Sequence, residues 1–312
     1  MPPAQPKDPQ PLVVGAAPDE AHSAAGSMTP FDDTYDQPDP RAYFRVLGPW
    51  EYQTPHHAQG VFRHMLDTCG SSKDAAGPAT VLDICCSYGF NAALLNHHLT
   101  WNDLYTHYTS PHATTMTTAE LIEWDRAFYA AHRRSDAVRV VGLDAAPRAV
   151  FYARAVGLLD DGFAENLEAA PAGPALRQAV RDTCLITVTG GASFLSQRTF
   201  RPVLENVRGP VRVAAFVLRT GSYQPVADCL KEYGLITEKA SGHTFPQRRF
   251  TGPQEQQYAV NAVVAAGEDP RGKESDGYFH TTLYVSRPVT DEAQSPSAPR
   301  STSGIAVPPG AW

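Results

Sequence analysis

The stretch Thr80–Gly89 (TVLDICCSYG) constrains the fold more than any other part of the chain. Thr80–Cys85 reads as a buried strand carrying a single acid, Asp83, and Cys86–Gly89 as a tight turn. Phe90–His98 then reads as a helix. Phe90, Ala93 and Leu94 share one face at the i, i+3, i+4 spacing, and the stripe ends near His97 and His98. Further strand-like and helical runs alternate behind this unit. Arg139–Leu143 ends at Asp144 and leads through Pro147 into an amphipathic run, Ala149–Leu158. Leu185–Val188 closes at Thr189–Gly191, and Val211–Leu218 precedes a helix around Val226–Tyr233 that stops at Gly234. Tyr258–Ala265 and Tyr278–Val285 read as a final pair of strands. The alternation is that of an α/β sheet with helices on its faces.

Two segments exceed what such a sheet needs. Between the first helix and the second strand lies Leu99–Val138, with a helical run at Thr118–Arg134, where a few residues would suffice. It is expected to be an inserted cap. Phe31–Phe62, rich in aromatic and polar residues, is expected to be a partly helical cover over the same sheet edge. The 27 prolines of the 312-residue chain crowd its two ends, which show no apolar periodicity. The expected organisation is therefore a disordered tail over 1–38 and an N-terminal helical cover over 39–79. A core over 80–288 with its cap at 99–138 follows, then a second tail over 289–312.

A formal net charge of −7 argues against general electrostatic attachment to nucleic acid and toward a small or neutral partner. The N-terminus lacks the basic segment and apolar stretch of a secretory signal, and no apolar run approaches the roughly 18 residues of a membrane span. A cytoplasmic protein without a membrane partner is expected. The five cysteines are an odd number, and Cys85 and Cys86 are neighbours, an awkward geometry for a disulfide. Reduced thiols packed as small apolar groups are the expectation.

Val81–Gly89 resembles motif I of the class I S-adenosylmethionine-dependent methyltransferases, apolar-Asp-x-Gly-x-Gly-x-Gly. Asp83 stands at the acidic position and Gly89 at the last glycine, with Cys85 and Ser87 in place of the first two. Those two residues are small enough for close backbone approach but lack glycine's freedom at positive φ. In layout the resemblance runs from about Thr80 to Val285. It implies a seven-stranded Rossmann-like methyltransferase sheet with helices on both faces, S-adenosylmethionine as cofactor and S-adenosylhomocysteine as product. The implied cofactor contacts are Asp83, Cys85, Ser87, Tyr88 and Gly89 in the turn, Asp144 and Ala145 at the ribose, Asn166 and Leu167 at the adenine, and Thr189 facing the methyl donor. Plainer roles stay open: a local cap for Asp83, a helix N-cap for Asp144, an exposed loop around Asn166, and a simple turn at Gly190-Gly191. A dinucleotide site is disfavoured, because Asp83 would repel a pyrophosphate and a single glycine of that fingerprint is present.

The activity implied is methylation of a small molecule, most readily O-methylation in specialised metabolism, by a protein that could act as a homodimer. The alternative is a protein of the same fold that does not transfer methyl groups, using the bound cation electrostatically or serving as a binding or regulatory subunit. A general base is needed only if the acceptor is a protonated hydroxyl or amine. The candidates are His56, His57 and His107, with Tyr88 and Tyr105 as orienting hydroxyls; for a carboxylate acceptor, Arg126 or Arg248 would hold it. No metal is expected, since His97 and His98 point roughly 100° apart on a helix and no Cys-x-x-Cys framework exists. Phe245–Phe250 reads as a basic-aromatic loop at the sheet edge.

Overall fold

The computed structural model describes residues 28–31, 34–69 and 79–289. The proline-rich stretches 1–27 and 290–312, which make up most of the two expected tails, lie outside the described residues. In chain order, α1 (Arg41–Leu47) and α2 (Thr54–Cys69) lead into β1 (Thr80–Ile84) and α3 (Phe90–Asn96). The long connection is mostly helical: α4 (Trp101–Thr109), α5 (Pro111–Thr115) and α6 (Thr118–His132). Then come β2 (Arg139–Asp144), α7 (Pro147–Ala155), β3 (Asp161–Ala164), α8 (Pro174–Ala179), β4 (Thr183–Val188), α9 (Gln197–Leu204), β5 (Arg212–Leu218) and α10 (Gln224–Glu232). β6 (Leu235–Lys239), β7 (Phe245–Arg249), α11 (Pro253–Ala265) and β8 (Tyr278–Pro288) complete the fold.

The strands form one sheet in the order β3-β2-β1-β4-β5-β8-β6, with β7 also paired to β8. β1 to β5 run parallel, and β8 is antiparallel to its neighbours. β6 and β7 follow one another along the outer edge of the 11-residue β8, so eight strands make a sheet seven positions wide. Strand order reverses between β1 and β4, and in open parallel sheets ligands bind outside the carboxyl ends at that point.

Every residue of β1 is buried, as a central strand covered on both faces requires. One apolar layer joins α1, α2, α3, α7 and the helices α4–α6 on one face, and a second packs α8, α9 and α10 on the other. α4 and α6 start at capping boxes built by Thr100 with Asp103 and Thr117 with Glu120, which explains why this connection is regular rather than a loop.

Two expectations are corrected. Tyr258–Ala265 is not a strand but the body of α11: Glu255, Ala259 and Val263 recur at the four-residue spacing on its buried face, behind Pro253 in the first turn. An apolar run of eight residues fits either element, and the upstream Gln-Glu-Gln-Gln decides for helix. Phe245–Arg249 is not a loop but the edge strand β7, whose polar residues suit a strand paired on one side only. No helix among the described residues is long and apolar enough to cross a membrane.

Candidate functional site

Asp83 lies at the carboxyl end of β1, 1% exposed. Its Oδ1 accepts from Thr187 Oγ1 of β4 at 2.8 Å and from Asn91 Nδ2 of α3 at 2.9 Å, and the same Asn91 amide donates to Thr189 Oγ1 at 3.0 Å. Its Oδ2 has no partner among the described residues. Burial pushes the carboxyl up to about 7, against the two hydrogen bonds and with a further push from Asp144. A buried carboxylate oxygen without a donor is costly unless something cationic or hydrogen-bonding meets it.

The turn that follows is left-handed at alternate residues. Cys85 has φ 58°, Ser87 φ 48° and Gly89 φ 79°. Cys85 and Ser87 thus take up the positive φ at which they lack glycine's freedom: the turn holds the backbone that glycines would adopt, with residues for which that region costs about 1–2 kcal/mol each. The reason is visible in the anchoring. The N–H groups of Cys85 and Cys86 both donate to Leu143 O, at 2.8 and 3.3 Å, and Gly89 N–H donates to Cys86 O at 2.8 Å. Ser87 N–H donates to Asp144 Oδ2 at 2.8 Å. Gly89 must be small as well as left-handed, since a Cβ there would lie 3.1 Å from Ala153 and 3.2 Å from Leu158. The Cys85 thiol lies over Gly191, where an added Cβ would come within 2.7 Å of Cys85 Cβ.

Asp144 ends β2 and uses both oxygens on main chain: Oδ2 on Ser87 and Oδ1 on Ala146 N–H at 2.9 Å. It therefore ties the turn after β1 to the start of α7, and burial raises its carboxyl above the ordinary range despite those bonds. Ala145 beside it is exposed. Asn166 is exposed, its Oδ1 accepting from Glu168 N–H at 3.0 Å, whereas Leu167 is buried in the layer formed by α8–α10. An open cleft of about 440 Å³ runs beside Leu167, between Glu168–Pro171 and the Gln197, Arg198 and Arg201 face of α9, and neither Asp83 nor Asp144 lines it.

Residues 34–53 run across these strand ends. Asp36 accepts from Arg148 N–H in the first turn of α7 at 2.7 Å, and Gln37 N–H donates to the Tyr88 hydroxyl at 2.9 Å. The Tyr52 hydroxyl stands 2.9 Å from where a Cβ on Gly190 would be, and Gln53 N–H donates to Gln247 O on β7 at 2.8 Å. Tyr88 itself is fully buried, so its hydroxyl binds this segment rather than solvent.

The residues considered for an acceptor do not converge. His107 is buried on α4, stacked between Trp124 (ring centroids 3.8 Å apart) and Phe128 (3.9 Å), with Nε2 2.7 Å from Asp125 Oδ1. The fully buried Asp125 also accepts from the Tyr108 and Tyr152 hydroxyls, both at 2.6 Å. This cluster joins α4, α6 and α7. Tyr105 is 38% exposed and its ring covers Gly48. His56 is exposed at the start of α2, its ring 5.1 Å from His57. His57 faces Phe245 at 5.5 Å with both ring nitrogens shielded and unpartnered among the described residues, and burial pulls it down to about 4. Arg248 makes a buried two-pronged ion pair with Glu255, at 2.7 and 2.9 Å, between the rings of Phe31 and Phe279. Arg126 donates to Glu123 and to Ala155 O on the outer surface.

Asn91 and Thr187, which hold Asp83, were not singled out from the sequence. Asn91 carried a readable signal, a polar side chain one residue after Phe90 in a helix whose other residues are nearly all apolar. Among the described residues no group of three or more His, Cys, Asp or Glu side chains could hold a metal ion.

Five parallel strands in the order β3-β2-β1-β4-β5 with an antiparallel β8 beyond them make this the Rossmann-like methyltransferase sheet that motif I implied. No family model matches the chain, and no curated protein does. Among solved structures, the chain is similar in layout to the YcgJ protein of Bacillus subtilis, with 11% identity, TM-score 0.38, and coverage of 72% of this chain and 98% of that one. It is similar also to the plantazolicin methyltransferase BamL in complex with a triazolic desmethylPZN analog and SAH, with 11% identity, TM-score 0.39, and coverage of 78% and 89%. A TehB-like SAM-dependent methyltransferase from Corynebacterium glutamicum shares 14% identity at TM-score 0.33, with coverage of 71% and 85%. Similarity at this level bears on neither substrate nor chemistry.

Proposed function

We propose that the protein is an S-adenosylmethionine-dependent methyltransferase acting on a small molecule. The observation that carries this reading is the pairing of a left-handed turn at Cys85, Ser87 and Gly89 with the unpartnered, buried Oδ2 of Asp83 at the switch point of the sheet. Strain of this kind persists where the surroundings over-determine it, and such places cluster at ligand sites. The residues present fit the cofactor. Asp83 Oδ2 offers an acceptor to its α-ammonium group, and the anionic turn suits a sulfonium. Asp144 stands at the end of β2 with its carboxylate fixed by main-chain amides of Ser87 and Ala146, where ribose hydroxyls would meet it. Leu167, with Asn166 beside it, would border the adenine end. Bound there, S-adenosylmethionine supplies an activated methyl group for in-line transfer.

The chain's own part in that transfer is alignment and exclusion of water, and residues 34–53 lie where they would do both. The acceptor is a hydroxyl or carboxyl of a small molecule in a cytoplasmic biosynthetic setting. His56 and His57 are the base candidates by their place at the start of α2, and burial makes the His57 imidazole the weaker base of its kind, neutral at pH 7 and holding a proton only near pH 4. His107 is committed to Asp125 and serves the cap. The Cys85 thiol packed on Gly191 favours one second reading, a protein that binds the cofactor without transferring its methyl group.

The test is incubation of the full chain with a methyl-labelled donor and panels of phenols, carboxylic acids and amines. Labelled product with one panel supports the reading; cofactor binding without transfer to any of them supports the second. Asp83→Ala should weaken cofactor binding far more than it lowers stability, and equal loss of both would reduce Asp83 to a structural cap.

A further inference from the structure

At the opposite end of the sheet from Asp83, the last residue of α2 meets the start of β4. Cys69 Sγ–H donates to Cys184 O at 3.5 Å and Cys184 Sγ–H donates to Thr80 O at 3.5 Å, which sets the Cys69 thiol against residue 184 itself. Arg212, in the first position of β5, brings Nη1 to 3.7 Å from Cys69 Sγ. Both thiols are half-buried, in contrast to the buried Cys86 and Cys229. Two neighbouring thiols, half-exposed and beside a guanidinium, form a site where a thiolate is favoured and a second sulfur waits to resolve its oxidation.

We propose that Cys69 and Cys184 are a modification site, forming a reversible intrachain disulfide when the protein meets hydrogen peroxide. The Cys184 thiolate attacks one peroxide oxygen, the O–O bond breaks, and the sulfur becomes a sulfenic acid as the departing hydroxide takes up a proton to leave as water. The Cys69 sulfur then attacks the sulfenic sulfur, the S–S bond forms, and a second water carries away the hydroxyl and the Cys69 proton. Two thiols and one peroxide thus give one disulfide and two waters. The neighbouring Cys69 thiol, with help from Arg212, draws the Cys184 thiol down to about 7, which supports it as the attacking group. Burial pushes Cys85 and Cys86 the other way, well above the thiol range.

The staple would sit where two site-bearing elements meet. α2 begins just after Tyr52, which touches Gly190, and β4 leads into Thr189–Gly191. A bond between Cys69 and Cys184 would tie the far ends of both, and would close a loop of more than a hundred residues, which disfavours the unfolded chain.

The native full-length protein is treated with hydrogen peroxide and examined by intact mass, thiol titration and peptide mapping. The expected result is a mass loss of about 2 Da, disappearance of two of the five thiols, and a Cys69–Cys184 cross-linked peptide. The melting temperature should rise by roughly 4–10 °C, and dithiothreitol should reverse every change. Cys69→Ala and Cys184→Ala should each abolish the mass loss. Five intact thiols, a gain of about 16 or 32 Da without a cross-link, or a bridge using any other cysteine would overturn the proposal. The peptide map of the unmutated protein decides the matter even if a variant fails to fold. None of these readouts depends on methyl transfer.

Discussion

Replacing Ser87 with glycine should stabilise the protein, and the size of the effect follows from its surroundings. At φ 48° its backbone occupies the left-handed region, which costs an L-residue about 1–2 kcal/mol. The greater chain entropy of an unfolded glycine offsets about 0.5–1 kcal/mol of the relief. The Ser87 hydroxyl is shielded and has no partner among the described residues, and removing such a group is worth about 1–3 kcal/mol. The main-chain N–H that holds the turn to Asp144 survives the change. The net expectation is a gain of about 1–4 kcal/mol, seen by differential scanning calorimetry as a rise of roughly 2–16 °C for a folded core of this size. Cys85→Gly is the matched control. It relieves the same strain at φ 58°, but it also deletes the sulfur packed over Gly191, so it should be neutral or destabilising by about 1 kcal/mol. A loss of stability in Ser87→Gly would refute the claim of a strained turn held by its anchors.

Three more outcomes follow from the buried charges. Asp83 holds its proton up to about 7 when folded and to about 3.8 when unfolded, so its favourable contribution is present below the unfolded value and is lost as pH rises through the folded one. Asp83→Asn should accordingly flatten the fall in stability of the ligand-free protein between those two pH values, as read from denaturant midpoints. Burial raises the Glu255 carboxyl, but Arg248 and the Thr29 and Thr251 amides outweigh it and hold the group at about 2; its stabilisation is full above 4.5 and is lost as pH falls toward 2. Arg248→Met should cost about 3–5 kcal/mol by stranding that charge, and adding Glu255→Gln should return at least about 1 kcal/mol of it. Tyr152→Phe removes one of the donors to the buried Asp125 and should cost about 1.5–3 kcal/mol in chemical denaturation while leaving ligand affinity unchanged.

Much of the fold could be read because its central strands obey simple rules. β1, β2, β5 and β8 are apolar runs of strand length, and the turn and Pro147 punctuate them where the chain reverses. What escaped depends on tertiary context. β3 is the four-residue edge segment Asp161–Ala164, half-exposed and without a β-branched residue. β7 carries Gln247, Arg248 and Arg249 because β8 supplies its register and Glu255 receives one of its charges. Tyr258–Ala265 is apolar at every position but Asn261, so it shows no period to distinguish strand from helix. At the site, Asp83 and Asp144 were legible from their positions at strand ends. The left-handed φ of Cys85 and Ser87 was not, because it is imposed by Leu143 and Asp144 from β2 against the preference of both residues. Likewise nothing local to His107 reveals that Trp124 and Phe128, more than fifteen residues on, enclose its ring.

The central claim is that the turn after β1 is a working cofactor site, and isothermal titration calorimetry of the full chain with S-adenosylhomocysteine tests it most directly. At a pH above the folded Asp83 value of about 7 the carboxylate is charged and its Oδ2 awaits a donor. The account predicts binding at a single site, tighter as pH rises through that value, and weakened about tenfold or more in Asp83→Asn. No binding of either S-adenosylhomocysteine or S-adenosylmethionine, or equal binding by the Asp83→Asn variant, would contradict it.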